Sequence, residues 1–176
     1  MPSREERIVE GYHGTYIQAV DDILSHRFEI SRNEYDWLGD GIYFFEYGRE
    51  RAWEWAEEKY GAEAAVIGAK IALIDCMDLL DTKWMRVLID AYDGFLDILK
   101  QSSLAPPRQT SGAHRLDREV INYAIGELGR ISMEIRCVRG AFREGRPVYP
   151  DSAIFDKIHI QIAVRDQEVC IRVVPQ

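Results

Sequence analysis

The order of apolar and polar residues predicts alternating strands and amphipathic helices along the chain. The clearest helix spans Lys83–Gln101, where apolar residues recur at helical spacing. Elsewhere, alternation or short apolar runs predict strands, and helical spacing predicts further helices. The predicted strands are Ile8–Tyr12, Phe28–Ser31, Gly41–Phe45, Ala64–Ile74, Met133–Val138, Ile158–Val164 and Val169–Val174. The remaining predicted helices are Ile17–Leu24, Gly48–Tyr60 and Asp117–Leu128.

Turn-forming residues separate these elements and set the fold class. Thr15 is a plausible cap for the first helix, and Gly61 follows the second at the position where glycine is preferred. Ser102–His114 and Phe142–Pro150 are rich in glycine, proline or serine and predict loops. Helices early and in the middle, followed by antiparallel strands, predict one mixed α+β domain over residues 1–176.

Composition restricts the class of protein further. The chain has 176 residues, of which 47% are apolar and 30% charged, as in globular proteins. Its net charge of -8 disfavours overall attraction to nucleic acid or an anionic membrane. The late arginines nevertheless form a cluster in the sequence that could face an anion: Arg130, Arg136, Arg139, Arg143 and Arg146.

The cysteines and the amino terminus indicate a cytoplasmic protein. Cys76, Cys137 and Cys170 are odd in number and lie in apolar surroundings, which predicts reduced, buried thiols. No CxxC pair is present, so we expect no zinc or other metal site. The charged amino terminus has no apolar signal-peptide region behind it, and no segment is apolar over a membrane-spanning length.

Two short stretches stand out as candidate ligand-binding elements. His13 precedes Gly14, so an imidazole and an unobstructed backbone can address one ligand together. Gly39-Asp40-Gly41 comes directly before Ile42–Phe45, which predicts a tight turn that feeds a buried strand. The chain contains no HExxH, GxSxG, P-loop or Rossmann motif. Hydrolase chemistry with an activated nucleophile therefore has little support.

Taken together, the two stretches resemble the signature of the PARP-like and diphtheria-toxin-like ADP-ribosyltransferases. That family carries a His-Gly-Ser/Thr element, here His13-Gly14-Thr15, and a Gly-x-Gly-Ile-Tyr-Phe element, here Gly39–Phe44. Their order and spacing agree with the family, and an aromatic helix follows them. The resemblance implies split antiparallel β-sheets with flanking helices and a cleft that binds NAD as co-substrate.

The resemblance also implies roles for individual residues. His13 would bond a ribose hydroxyl of NAD, and the backbone of Gly14 would hold the nicotinamide amide. Tyr43 and either Trp53 or Trp55 would sandwich the nicotinamide ring, a contact worth about 0.5–2 kcal/mol. Thr15 completes the first motif, and Gly41 belongs to the turn that presents Tyr43 to the ring.

The third family position departs from the pattern. Where the family places a glutamate on a late strand, this chain has Gln161. Glutamine can hydrogen-bond a ribose hydroxyl but cannot supply the negative charge that an oxocarbenium-like centre needs. Glu144 and Glu168 are the nearby carboxylates, and we favour Gln161 as the family position with Glu144 as the replacement carboxylate.

The sequence therefore predicts a mono-ADP-ribosyltransferase that acts on a macromolecular acceptor, either protein or nucleic acid. Proteins of this kind include toxins of toxin–antitoxin and phage-defence systems, which would make an antitoxin protein a partner. Two alternatives remain open. One is an inactive module that keeps the pocket for binding, which the glutamine at position 161 favours. The other is an NAD glycohydrolase that uses water as acceptor.

Overall fold

A computed structural model describes residues 7–110 and 113–173 and shows a mixed α+β fold. Seven strands form one mixed sheet, in the order β4-β5-β6-β2-β1-β3-β7. The strands are β1 (Ile8–Tyr16), β2 (Ile42–Glu46), β3 (Ala64–Ala72), β4 (Cys76–Asp78), β5 (Cys137–Pro147), β6 (Phe155–Val164) and β7 (Ile171–Val173). The helices are α1 (Ile17–Ser25), α2 (Arg49–Tyr60), α3 (Lys83–Gln101), α4 (Arg115–Arg130) and α5 (Gln167–Cys170).

The sheet is nearly divided between β1 and β2. The ladder that joins these two strands contains only Gly11–Glu46 and Tyr12–Phe45. By contrast, β1 pairs with β3 along its whole length, and β2 pairs with β6 over residues 42–45. Among the strand pairs of the described residues, β4–β5 is parallel and the others are antiparallel. The resemblance implies two separate sheets, whereas the structure has one continuous sheet that is joined at its centre by these two residue pairs. Beyond the two pairs, β1 and β2 separate.

The two faces of the sheet are covered by different elements. Phe44, Ile71 and Ile162 lie on one face, in a buried cluster against which side chains of α1 pack. Val138 and Ala163 belong to a second cluster, with side chains of α3 and α4. Because side chains alternate along a strand, β2, β5 and β6 each contribute to both cores.

The helix predictions are largely confirmed. α3 begins and ends at the predicted residues, and α2 ends before Gly61, whose φ of 58° suits glycine. α1 differs at its start. Its N-cap is Tyr16, with no side-chain cap, because Thr15 lies buried within β1.

Several predicted strands have different bounds. β1 continues through His13–Thr15 to Tyr16 because β3 pairs with all of it, so this motif is strand and not turn. Phe28–Ser31 forms only an isolated bridge from Ser31 to Gly41. Residues 142–147 of the predicted loop belong to β5, where β6 supplies their partners.

The last two elements also differ from the predictions. The strand predicted at Met133–Val138 begins only at Cys137, which pairs with both Cys76 and Val164. In the strand predicted at Val169–Val174, residues up to Cys170 form a short helix capped by Asp166, and β7 starts at Ile171. Val174 lies outside the described residues.

The arginine cluster of the sequence does not form one surface. Arg139 is buried and binds Glu46 at 2.5 and 2.8 Å and Asp78 at 3.1 Å. Arg136 is surrounded by Asp75, Glu134 and Asp166. Because acidic partners already neutralise these two arginines, they cannot hold a phosphate. Three members of the cluster remain. Arg130 pairs with Glu127, Arg143 stacks on Phe155, and the third is Arg146.

We expect Arg139→Ala to destabilise the fold strongly. The change leaves Glu46, of which only 4% of the side chain is exposed, without its buried partner, and such a loss costs about 3–5 kcal/mol. Arg130→Ala is the control, since its exposed pair with Glu127 is worth less than about 1 kcal/mol. Urea unfolding measures both, and equal effects would contradict the structural role of Arg139.

Candidate functional site

An open cleft of about 770 Å³ lies where β1 and β2 separate. This volume falls within the usual range of small-molecule sites. Six of the candidate site residues from the sequence line it: His13, Gly14, Tyr43, Trp55, Glu144 and Gln161. Further lining residues come from α2 and from segment 31–41, namely Tyr35, Asp36, Trp37, Arg51, Glu58 and Lys59. The folded chain thus collects residues that are up to about 150 positions apart.

His13 lies at the point where the sheet opens. Beyond the Tyr12–Phe45 pair, the Nδ1 atom of His13 is 2.8 Å from the carbonyl oxygen of Tyr43. A carbonyl can only accept, so Nδ1 donates and Nε2 is left as the acceptor. Burial lowers the pKa of His13, so the ring is neutral at neutral pH. His13 can therefore accept a hydrogen bond from a ligand hydroxyl.

Tyr43 offers a ring face and not a reactive hydroxyl. Its hydroxyl donates to the carbonyl of Gly39 at 2.7 Å and accepts from the amide of Leu38 at 2.8 Å. Burial raises the pKa of Tyr43 well above 10.0, so the phenol remains protonated. These hydrogen bonds hold the glycine turn against the side chain of Tyr43, which follows it in the sequence. Tyr43 is suited to stack against a planar ligand and not to exchange protons.

The glycine turn is also tied to α4. The carboxylate of Asp40 accepts from Asn122 at 3.0 Å and from Arg118 at 2.7 Å, and Arg165 donates to its carbonyl at 2.7 Å. Gly39 has a φ of 80°, and an added Cβ would lie 2.7 Å from Asn122 Oδ1. Glycine is therefore required at this position, and Asp40 has a structural role.

α2 forms one wall of the cleft and packs directly on Gly14. A Cβ on Gly14 would lie 2.8 Å from the carbonyl oxygen of Ala52 and 2.9 Å from Trp55 Cε3. The missing side chain therefore allows the helix and the indole ring to approach the strand. Trp55 lines the cleft, whereas Trp53 is 44% exposed and donates to Glu57. The structure thus distinguishes between the two tryptophans that the sequence left open.

Three other candidates lie outside the cleft lining. Thr15 is buried where β1 pairs with Ala65 of β3. Gly41 passes so close to β6 that an added Cβ would lie 2.9 Å from the Cβ of Ala163. Glu168 pairs with Arg27 at 3.1 Å on the surface. The first two support the strands that form the cleft, and Glu168 is not a candidate for its chemistry.

Gln161 lies on the cleft face of β6 and is oriented by His159. Its Nε2 atom is 3.1 Å from His159 Nε2, while His159 Nδ1 donates to the carbonyl of Lys157 at 2.9 Å. His159 Nε2 must then accept from the amide of Gln161. This leaves the Oε1 atom of Gln161 to accept from a ligand. His159 itself was not singled out in the sequence, where it looked like an ordinary strand residue.

Glu144 lies on the same face but farther out along the sheet. It pairs with Lys157, whereas Gln161 pairs with Gly140, so four residues of β5 separate the two positions. That separation corresponds to about 13 Å along a strand. Arg51 connects the two regions, since it donates to Glu144 at 2.9 Å and its guanidinium lies 5.4 Å from the Phe45 ring centroid. Phe45 is the cross-strand neighbour of Gln161.

Within residues 7–110 and 113–173, no group of three or more His, Cys, Asp or Glu side chains is arranged to hold a metal ion. In the same residues, no helix has the length and apolar character required to cross a membrane. Among known proteins, no family model matches the chain, and neither a curated protein nor a solved structure matches it.

The free energy of unfolding should fall as the pH falls below 6.5. Burial lowers the folded-state pKa of His13, His114 and His159 below 6.5, so the unfolded chain takes up protons first. In that range the unfolded state holds more protons, and acid therefore favours unfolding. Protonation of His159 also removes the acceptor that Gln161 needs.

Urea unfolding at about pH 7.5 and about pH 5.5 measures this dependence. We expect His159→Gln to lose less stability over this range than the wild type. His26→Gln is the matched control, because 78% of the His26 side chain is exposed. Equal pH dependence in the wild type and His159→Gln would show that His159 contributes nothing.

Proposed function

We propose that the chain has an ADP-ribosyltransferase-like fold and transfers a single ADP-ribose from NAD to a macromolecular acceptor. The supporting observation is the cleft at the β1–β2 junction, where the two motifs that resemble the family lie side by side. His13 and the open backbone of Gly14 lie at one edge of this cleft. The rings of Tyr43 and Trp55 line it as candidate stacking surfaces.

In the proposed reaction, nicotinamide lies between Tyr43 and Trp55 while His13 and Gln161 hold the ribose hydroxyls. The bond from ribose C1′ to the nicotinamide nitrogen breaks, and its electron pair stays with nicotinamide. The oxocarbenium-like centre at C1′ is then attacked by a nucleophile of the acceptor, whose proton passes to a carboxylate. Of the two carboxylates that the sequence offered for this step, Glu144 lines the cleft and Glu168 does not, so Glu144 is assigned to it.

Single transfer is proposed because glutamine replaces the family glutamate at position 161. The same resemblance suggests a toxin of a toxin–antitoxin or phage-defence system, with an antitoxin protein as partner. The acceptor is a protein or a nucleic acid. Of the late arginines, Arg146 lines the cleft near Glu144 and is the candidate for contacting an acceptor phosphate.

A binding module without catalysis is the second candidate. Gln161 favours it, because the position nearest the proposed ribose site carries no charge, and the only carboxylate assigned to the reaction is about 13 Å away along the strand. Labelled NAD, incubated with total cell protein or RNA, distinguishes the candidates. Label transfer supports the enzyme, and NAD binding without transfer supports the module. Free nicotinamide released without any acceptor would support an NAD glycohydrolase.

Trp55→Ala should weaken NAD binding about tenfold, which corresponds to about 1.4 kcal/mol of lost ring stacking. Trp53→Ala is a closely matched control, since it removes the same side chain two positions away on the exposed face of α2. Calorimetric titration with NAD compares the two variants. Equal affinity in both would show that Trp55 does not contact the ligand.

Glu144→Gln should lower label transfer about 100-fold, the usual contribution of a general base, and leave NAD affinity within about twofold. The substitution keeps the shape and lets Arg51 retain its contact with Glu54 at 2.7 Å. Glu168→Gln, on the surface, should have no effect on transfer. If label transfer is undiminished in Glu144→Gln, Glu144 is not the base of the reaction, and Gln161 becomes the candidate to test next.

A further inference from the structure

One face of α2 presents three side chains to the cleft at regular intervals. Arg51, Trp55 and Lys59 recur every fourth residue, and all three line the cleft. Four residues of helix advance about 6 Å, so the guanidinium, the indole and the ammonium follow one another along the groove. Arg51 is already engaged by Glu54 and Glu144 at its end. Lys59 lies at the opposite end, beyond Trp55.

Lys59 is held by aromatic side chains and not by an acid. Its Nζ atom lies 4.6 Å from the ring centroid of Trp55, 5.3 Å from that of Tyr35 and 5.2 Å from that of Tyr60. It also donates to the Tyr35 hydroxyl at 2.8 Å. In the described part of the chain, no carboxylate forms an ion pair with this ammonium. The aromatic rings orient the positive charge without neutralising it.

The other cations of the cleft are less suited to an anionic ligand. Arg51 carries two carboxylate partners. Arg146 and Lys157 lie on β5 and β6 at the end of the cleft where Glu144 is the cross-strand neighbour of Lys157. Lys59 is thus the cleft cation that lies beside Trp55 and has no carboxylate partner within the described residues. A ligand anion in the inner part of the cleft would be attracted to it.

We propose that Lys59 binds the diphosphate of a dinucleotide whose nicotinamide lies against Trp55. This inference rests on the proposed function and specifies which end of the cleft receives the phosphates. The Lys59 ammonium lies 4.6 Å from the Trp55 ring centroid, so the first phosphate of a ligand whose ring stacks on Trp55, one ribose away from that ring, comes within reach of this ammonium. The ammonium has three donor hydrogens, so its contacts with Tyr35 and Tyr60 leave one for a phosphate oxygen.

Three ligands separate the phosphate contact from the ring contact. NAD contains both groups, ADP-ribose contains only the diphosphate, and nicotinamide riboside contains only the ring and one ribose. Calorimetric titration of Lys59→Met should show about tenfold or greater loss of affinity for NAD and ADP-ribose, as expected for a charge-assisted hydrogen bond. Affinity for nicotinamide riboside should be unchanged. Lys59→Arg keeps the cation and should bind NAD nearly as well as the wild type.

Lys157→Met is the matched control, since it removes the same charge from the other end of the cleft. It should leave the affinity for ADP-ribose unchanged. Thermal unfolding of both variants establishes that each is folded.

The other possible binding results each contradict one part of the proposal. If Lys59→Met binds NAD and ADP-ribose as tightly as the wild type, the diphosphate assignment is wrong while the proposed function stands. Equal loss for all three ligands would show that Lys59 only supports the Trp55 ring. An equal loss in Lys157→Met would place the phosphates at the Lys157 end of the cleft. Failure of the wild type to bind NAD and ADP-ribose would overturn the proposed function together with this inference.

Discussion

The hydrogen bond from His13 Nδ1 to the Tyr43 carbonyl is the interaction on which the site depends. Beyond Tyr12–Phe45 the two central strands no longer pair, and this side-chain bond takes the place of the missing backbone bond. It satisfies a carbonyl that the opening of the sheet would leave without a partner. The same bond fixes the imidazole tautomer and so its available acceptor. One hydrogen bond therefore both satisfies the carbonyl exposed where the sheet opens and fixes the tautomer of His13 at that edge.

The second requirement is close contact between α2 and β1. Gly14 has no side chain, so the carbonyl of Ala52 and the ring of Trp55 can lie where a Cβ would otherwise be. A helix placed so close to the strand directs one of its faces into the opening between the strands. This face then supplies in sequence a guanidinium paired with Glu144, an aromatic ring, and an ammonium that has no carboxylate partner among the described residues. Gly14 thus serves the site by its size, in addition to any backbone contact with a ligand.

Local sequence predicted the features that depend on local physics. The period of α3 and the glycine turn at Gly39 follow from spacing and backbone freedom, and both are confirmed. The outer half of β5 could not be predicted, because Gly145 and Pro147 favour turns and only pairing with β6 makes this stretch a strand. Arg51 and Lys59 were missed as well. α2 carries charges on most of its surface, so its inward face became evident only from its contact with Gly14.

The third site position depends on contacts that local sequence does not encode. A motif can place Gln161 on a strand, but it cannot show that His159 orients its amide or that Glu144 shares its face. Pairing between β5 and β6 places Glu144 on the face of Gln161, whereas His159 lies two residues before Gln161 on β6 and shares its face through the alternation of side chains along the strand. The same pairing also separates the neutral amide of Gln161 from the carboxylate of Glu144 by four residues of β5. If the cleft performs ADP-ribosyl transfer, ribose positioning and acceptor activation are therefore divided between two side chains, where one glutamate would serve both in the family that the motifs resemble.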